Sequence, residues 1–160
     1  MISTSTKESD PPQSIVIEIE HQVLKLRAGL HLTASYPISS SRFGLGSEEG
    51  SFRTPTGRFR ICDKIGTGAP RGMVFKGRIP TGEIATPGGE EDHVLTRILW
   101  LEGLDEENRN TRDRYIYIHG TNQEELIGTP ASHGCIRLRN QEMIDLYDRV
   151  ATGTEVHIKP

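Results

Sequence analysis

Apolar and polar residues alternate at period two in several short runs, and only once do apolar residues recur at helical spacing. Ile15, Ile17 and Ile19 share one side of a strand predicted over Ser14 to Glu20, and Val23 to Leu26 continues extended. Arg27-Ala28-Gly29 reads as a turn into Leu30 to Tyr36, which makes a hairpin. A Ser- and Gly-rich loop covers Ser39 to Ser51, and Thr54-Pro55-Thr56-Gly57 is a turn into a strand at Arg58 to Ile61. From Gly66 to Gly89, glycines and prolines break the pattern, leaving one short extended piece near Met73 to Lys76.

Order returns in strands predicted at Leu95 to Leu101 and Tyr115 to Ile118. In the second, Ile116 and Ile118 share one face, while Tyr115, Tyr117 and His119 share the other. Asn122 is a candidate cap for a short helix from Gln123 that Gly128 stops. The clearest helix runs from Gln141 to Ala151, with Asn140 as N-cap, an apolar stripe of Met143, Ile144, Tyr147 and Val150, and Gly153 past its end. Val156 and Ile158 alternate in a last strand. The pattern predicts a mostly β domain over residues 14–160 with minor α content, preceded by a tail over residues 1–13. There is no internal repeat.

Composition narrows the classes. A chain of 160 residues suits one domain with a real core. A formal net charge of −3 gives no general pull toward nucleic acid or anionic lipid. No apolar run reaches the roughly 20 residues that a membrane span needs. Met1 to Gln13 is polar and lacks the apolar stretch of a secretory signal, so either the precursor's true start is missing, export works another way, or the protein stays inside the cell. The 2 cysteines, Cys62 and Cys135, are too few for a disulfide framework, although one bridge between them is conceivable in an oxidising compartment.

The stretch with chemical content is Ser132-His133-Gly134-Cys135-Ile136-Arg137-Leu138, with Ile118-His119-Gly120-Thr121 upstream. A thiol is mostly protonated at neutral pH, with a reference pKa of about 8.5. An adjacent imidazole that accepts its proton makes the sulfur a strong nucleophile. His119 stands at the end of a predicted strand, where a rigid backbone aims its ring. Gly134 lets the chain bend closely before Cys135, so that the amides of Gly134 and Cys135 can face an oxyanion. The carbonyl of Gly120 can fix the tautomer of His119 without a carboxylate. Residue types alone leave other readings open: a buried structural Cys135, a strand-end His119 satisfied by backbone, or zinc held by His119, His133 and Cys135, whose spacing fits no usual zinc pattern.

The Ser-His-Gly-Cys-Ile-Arg-Leu run, with Ile-His-Gly-Thr before it, resembles the signature of the L,D-transpeptidase catalytic domain family (YkuD-like). Thr54-Pro55-Thr56-Gly57-Arg58-Phe59 resembles that family's Thr-Pro-x-Gly-x-Phe turn, Thr96 to Leu101 its central strand, and Gly153-Thr154-Glu155-Val156 its closing turn and strand. The resemblance covers Ser14 to Lys159 and implies a β-sandwich or barrel with one helix after the Cys motif. It implies Cys135 as nucleophile, His119 as base, and Gly134 and Gly120 in oxyanion and orienting roles. Arg137, His133 and Ser132 fall at positions lining the substrate site, and Cys62 is left as an ordinary strand cysteine.

The implied substrates are peptidoglycan stem peptides, cross-linked 3→3 through a thioester at the cell envelope, with no cofactor and no metal. The alternatives are an L,D-carboxypeptidase that uses water as acceptor and a non-catalytic wall-binding module. The long segment from Gly66 to Gly89 is the candidate for a lid over the substrate.

Overall fold

The computed structural model describes residues 11–160, so most of the expected tail lies outside the described residues. Among the described residues ten strands carry the fold: β1 (Gln13–Glu18), β2 (Val23–Ala28), β3 (His31–Pro37), β4 (Gly57–Ile65), β5 (Met73–Lys76), β6 (Ile79–Ile84), β7 (Val94–Gly103), β8 (Tyr117–Gly120), β9 (Ile136–Leu138) and β10 (Glu155–Lys159). One α-helix, α1 (Asn140–Arg149), follows β9. The chain is mostly β, as its period-two runs predict.

All ten strands join one hydrogen-bonded sheet. One path runs β3-β2-β1-β10-β4-β7, and β8 and then β9 extend it from β7. Leu99 of β7 pairs with Lys64 of β4 and Ile118 of β8, whereas Leu95 pairs with Val74 of β5 and Gly120 of β8. Strands β4 and β5 therefore succeed each other along one edge of β7, and β8 takes the other. The β5–β6 hairpin projects where β4 leaves off.

One core gathers the inward faces of these strands. Ile15, Ile17, Leu24, Leu26, Phe59, Ile61, Leu99, Leu101, Ile118, Ile136, Leu138, Val156 and Ile158 lie in it, closed by Met143, Leu146 and Tyr147 of α1. A second, smaller cluster on the other face of β7 and β8 contains Phe75, Ile98 and Tyr117, with Trp100, Met73 and Cys135 packed against it. The two clusters set the chemistry apart from the main core.

Five expectations change. The segment from 66 to 89 is not a bare loop; it contains the β5–β6 hairpin. Every residue of β6 is exposed, and Pro80 and Gly82 interrupt it, so no alternation signals a strand. The expected strand at Tyr115 begins two residues later, because Tyr115 sits at φ 57, outside the extended region. The expected helix after Asn122 is one turn, Glu124–Leu126, and the Asn122 side chain instead donates to the carbonyls of Gly88 and Glu91. In α1 the core side chains are Met143, Leu146 and Tyr147, so Leu146 takes the place foreseen for Ile144.

Asn140 is also the first residue of α1 rather than its cap. Its amide N–H donates to Glu124 Oε2 at 2.7 Å, and its side chain binds the Thr121 carbonyl (2.7 Å) and the Thr96 hydroxyl (2.6 Å). The helix start is thereby tied to the end of β8, next to the candidate base.

Candidate active site

Strands β8 and β9 run parallel with Ile118 beside Ile136 and His119 beside Arg137. Side chains alternate along each strand, so Ile118, Ile136 and Leu138 enter the main core. Tyr117 and His119 on β8, and Cys135 and Arg137 at the start of β9, take the opposite face. His119 and Cys135 are thus two residues along and one strand across from each other, about 8 Å between Cα atoms. Imidazole and thiol are long enough to meet across that gap.

The His119 ring is 2% exposed, and its Nδ1 lies 2.5 Å from the Gly120 carbonyl oxygen. A carbonyl only accepts, so the proton sits on Nδ1 and Nε2 is left as the acceptor. Burial holds the imidazole below its ordinary pKa and outweighs the opposing pull of Asp92. The His119 ring is therefore neutral at pH 7. Glycine at 120 is required by crowding, since a Cβ there would collide with Asn140 Oδ1 and stand 2.9 Å from the Leu95 carbonyl oxygen.

Cys135 is half-buried, and its sulfur accepts from the Tyr117 N–H at 3.3 Å and points to the Tyr115 carbonyl at 3.4 Å. Among the described residues no hydrogen bond joins it to the His119 ring, whose Nε2 has no partner. Burial pushes the thiol up to about 12, against the Tyr117 N–H and the Arg114 and Arg137 charges. Thiol and imidazole are therefore both neutral at pH 7. Cys62, on β4, is a second free thiol raised mainly by burial.

The loop carrying the thiol is pinned from three sides. Ser132, buried, donates to the Cys135 carbonyl at 2.7 Å and accepts from the Gly134 N–H at 3.3 Å. Thr54 donates to the Gly134 carbonyl at 3.0 Å, which gives the Thr-Pro-Thr-Gly turn its place in the site. Gly134 sits at φ 124, a conformation open to glycine. Arg114 donates to the carbonyls of Arg53 and Gly46, holding the 46–53 loop beside the sulfur.

Arg137 has 0% exposure, and its guanidinium donates to Asp92 (3.0 Å), Gln123 (2.7 Å) and Ser39 (3.2 Å). His133 is exposed between Phe43 and Phe52, with Nδ1 3.2 Å from Asp92 Oδ2 and Nε2 3.3 Å from Arg42. Asp92 therefore bridges both. Burial raises its carboxyl, but His119, Arg137 and His133 together hold it below the usual carboxylate range. Residues with left-handed backbone concentrate here. Of the five non-glycine residues with positive φ among the described residues, Phe52, Tyr115, Arg78 and Thr96 all border the site, the kind of clustering that accompanies function. No three His, Cys, Asp or Glu side chains among the described residues assemble as a metal ligand set.

Residues 12–158 match the family model of the L,D-transpeptidase catalytic domain, YkuD. The chain belongs to that family. Among curated relatives of this L,D-transpeptidase domain, the putative L,D-transpeptidase YkuD of Bacillus licheniformis is 46% identical over 93% of this chain and 67% of its own length. The putative L,D-transpeptidase YqjB of Bacillus subtilis is 41% identical over 44% of this chain and 38% of its own. A solved L,D-transpeptidase from Mycobacterium smegmatis superposes with a TM-score of 0.62 at 19% identity, covering 93% of this chain and 59% of that one. At that identity the likeness speaks to fold. The chain spans less than two thirds of the length of YqjB and of the mycobacterial protein.

Several residues around Cys135 and His119 have no signal in the sequence. Asp92 lies in an acidic run, Glu90-Glu91-Asp92, that reads as solvated surface, and nothing local singles it out. Arg114 and Arg78 look like loop charges. The Tyr117 N–H, which holds the sulfur, is a backbone group with no sequence signal.

Proposed function

We propose that this domain transfers acyl groups on peptidoglycan tetrapeptide stems, with Cys135 as nucleophile and His119 as base, and forms 3→3 cross-links through a thioester. The observation that carries this reading is the placement of Cys135 and His119 on one face of paired strands, with His119 Nδ1 committed to Gly120 so that Nε2 is free to take a proton.

As Sγ attacks the carbonyl between the third residue's L-centre and the terminal D-alanine, its proton passes to His119 Nε2. With the thiol held high by burial, thiolate forms only in that step, not as a resting ion pair. The new C–S bond leaves an oxyanion facing the Cys135 N–H, which has no hydrogen-bond partner among the described residues; the Gly134 N–H can turn from Ser132 to join it. The C–N bond then breaks, D-alanine departs with the proton from His119, and a thioester remains. An amine of a second stem attacks that carbonyl, gives its proton to His119 and expels the sulfur, which is reprotonated.

Arg137 serves this site from behind, by fixing Asp92 and the electrostatics around His119. His133, on the open side with Phe43 and Phe52, lines the donor path, and Ser132 holds the nucleophile loop. The β5–β6 hairpin is the lid. A wall substrate places the working compartment at the cell envelope; no helix among the described residues is long and apolar enough to cross a membrane.

Incubation with a disaccharide-tetrapeptide tests the proposal. The expected products are free D-alanine and a 3→3 dimer. Tripeptide without dimer would identify water as the acceptor, and no D-alanine release would refute the reading.

A further inference from the structure

The tip of the β5–β6 hairpin carries a cation aimed at the nucleophile's supports. Lys76 pairs with Ile79, so Gly77 and Arg78 form a two-residue turn, with φ 55 and 66. Positive φ at both central residues is the type I′ pattern, in which Asn or Asp leads and Gly follows. Here Gly leads and an arginine occupies the position that favours glycine, at a conformational cost that its side chain must offset.

That side chain folds back over the site. The guanidinium lies 4.6 Å from the Trp100 ring centroid and 5.0 Å from that of Tyr115, and donates to the Tyr117 hydroxyl at 3.1 Å. The same two tyrosines touch the sulfur through their backbones: the Tyr117 N–H donates to Sγ, and the Tyr115 carbonyl faces it. Arg78 is thus one residue removed from the nucleophile by two routes. Among the described residues it has no carboxylate partner, in contrast to Arg137, whose charge is spent on Asp92. A half-buried guanidinium braced on aromatic rings, with donors left over, suits bidentate capture of a carboxylate.

We infer that Arg78 is a specificity-determining residue that binds a free carboxylate of the donor stem as the hairpin closes over Cys135. The inference rests on the donor chemistry proposed above. Two carboxylates qualify, that of the terminal D-alanine and that on the diamino acid side chain, and amidating each in turn separates them.

Trp100, the only tryptophan, lies under the guanidinium and reports binding by fluorescence. Titration of the Cys135→Ala protein with the tetrapeptide and with its two monoamides measures affinity without turnover. One of the two amides is expected to bind about tenfold more weakly, the scale of one charge-assisted hydrogen bond. Arg78→Asn, which tolerates the left-handed turn, should erase that difference, and Arg78→Lys should keep part of it. Equal affinity for all three ligands, or an Arg78→Asn variant that weakens all three alike, would overturn the inference. An intact enzyme that discriminates the amides in binding yet never releases D-alanine would instead sink the transpeptidase reading and leave the carboxylate site standing.

Discussion

Replacing Asp92 by Asn removes the counter-charge of Arg137 while preserving shape. Arg137 is inaccessible to solvent, and the Asp92 side chain is only 19% exposed, so water cannot take the carboxylate's place. Removing one partner of a buried pair costs about 3–5 kcal/mol, and the partial exposure of Asp92 points to the lower end, about 3 kcal/mol. At about 2–4 °C per kcal/mol for a domain of this size, thermal unfolding should fall by roughly 6–12 °C. Adding Arg137→Met should recover most of the loss, because the stranded charge is then gone. The change has a catalytic signature too. Asp92 favours protonation of His119, so its loss lowers the imidazole pKa further and moves the acid limb of kcat/KM to lower pH. Scanning calorimetry and a pH–rate profile read the two effects separately. An Asp92→Asn protein within about 0.5 kcal/mol of the parent would refute the claim that Asp92 neutralises Arg137.

Other predictions follow from single contacts. His119→Gln should fold yet lose about 10²–10⁴-fold in rate, measured as D-alanine release. Because the folded imidazole lies below the unfolded 6.5, the unfolded chain binds more protons in that window. Parent stability should therefore fall as pH drops below about 6.5, and His119→Gln should flatten that slope in pH-dependent denaturation. Thr54→Val deletes the donor to the Gly134 carbonyl and should cost about 1–3 kcal/mol in urea unfolding, with slower acylation of Cys135. Leu146→Ala should cost about 2–5 kcal/mol, whereas Ile144→Ala, at a partly exposed position, should cost clearly less in the same assay.

Much of this was legible in the chain. Alternating apolar residues predict β1, β2 and β10, because each of these strands buries one face and the period is short-range information, whereas an apolar-rich run predicts β7, which is buried on both faces. The Cys and His motifs are local for the same reason: each sits on one strand end and a tight glycine turn. What escaped depends on partners distant in sequence. Strand β6 is exposed throughout, so its pairing with β5 leaves no hydrophobic trace. Asn140 reads as a cap by residue type, yet Thr96 and Thr121 draw its side chain away and Glu124 supplies the helix N–H partner. Arg137 beside a thiolate suggests a substrate cation, but Asp92, 45 residues earlier, turns it inward. Leu146 replaces Ile144 in the core because β7 and β8, not the helix alone, decide which stripe is covered.

The most direct test is the mass of the intact protein, with peptide mapping, after exposure to a carbapenem or a tetrapeptide donor. One acyl adduct on Cys135 is expected, formed far more slowly in His119→Gln and absent in Cys135→Ala. An adduct on Cys62, or a parent protein whose mass never changes, would contradict it.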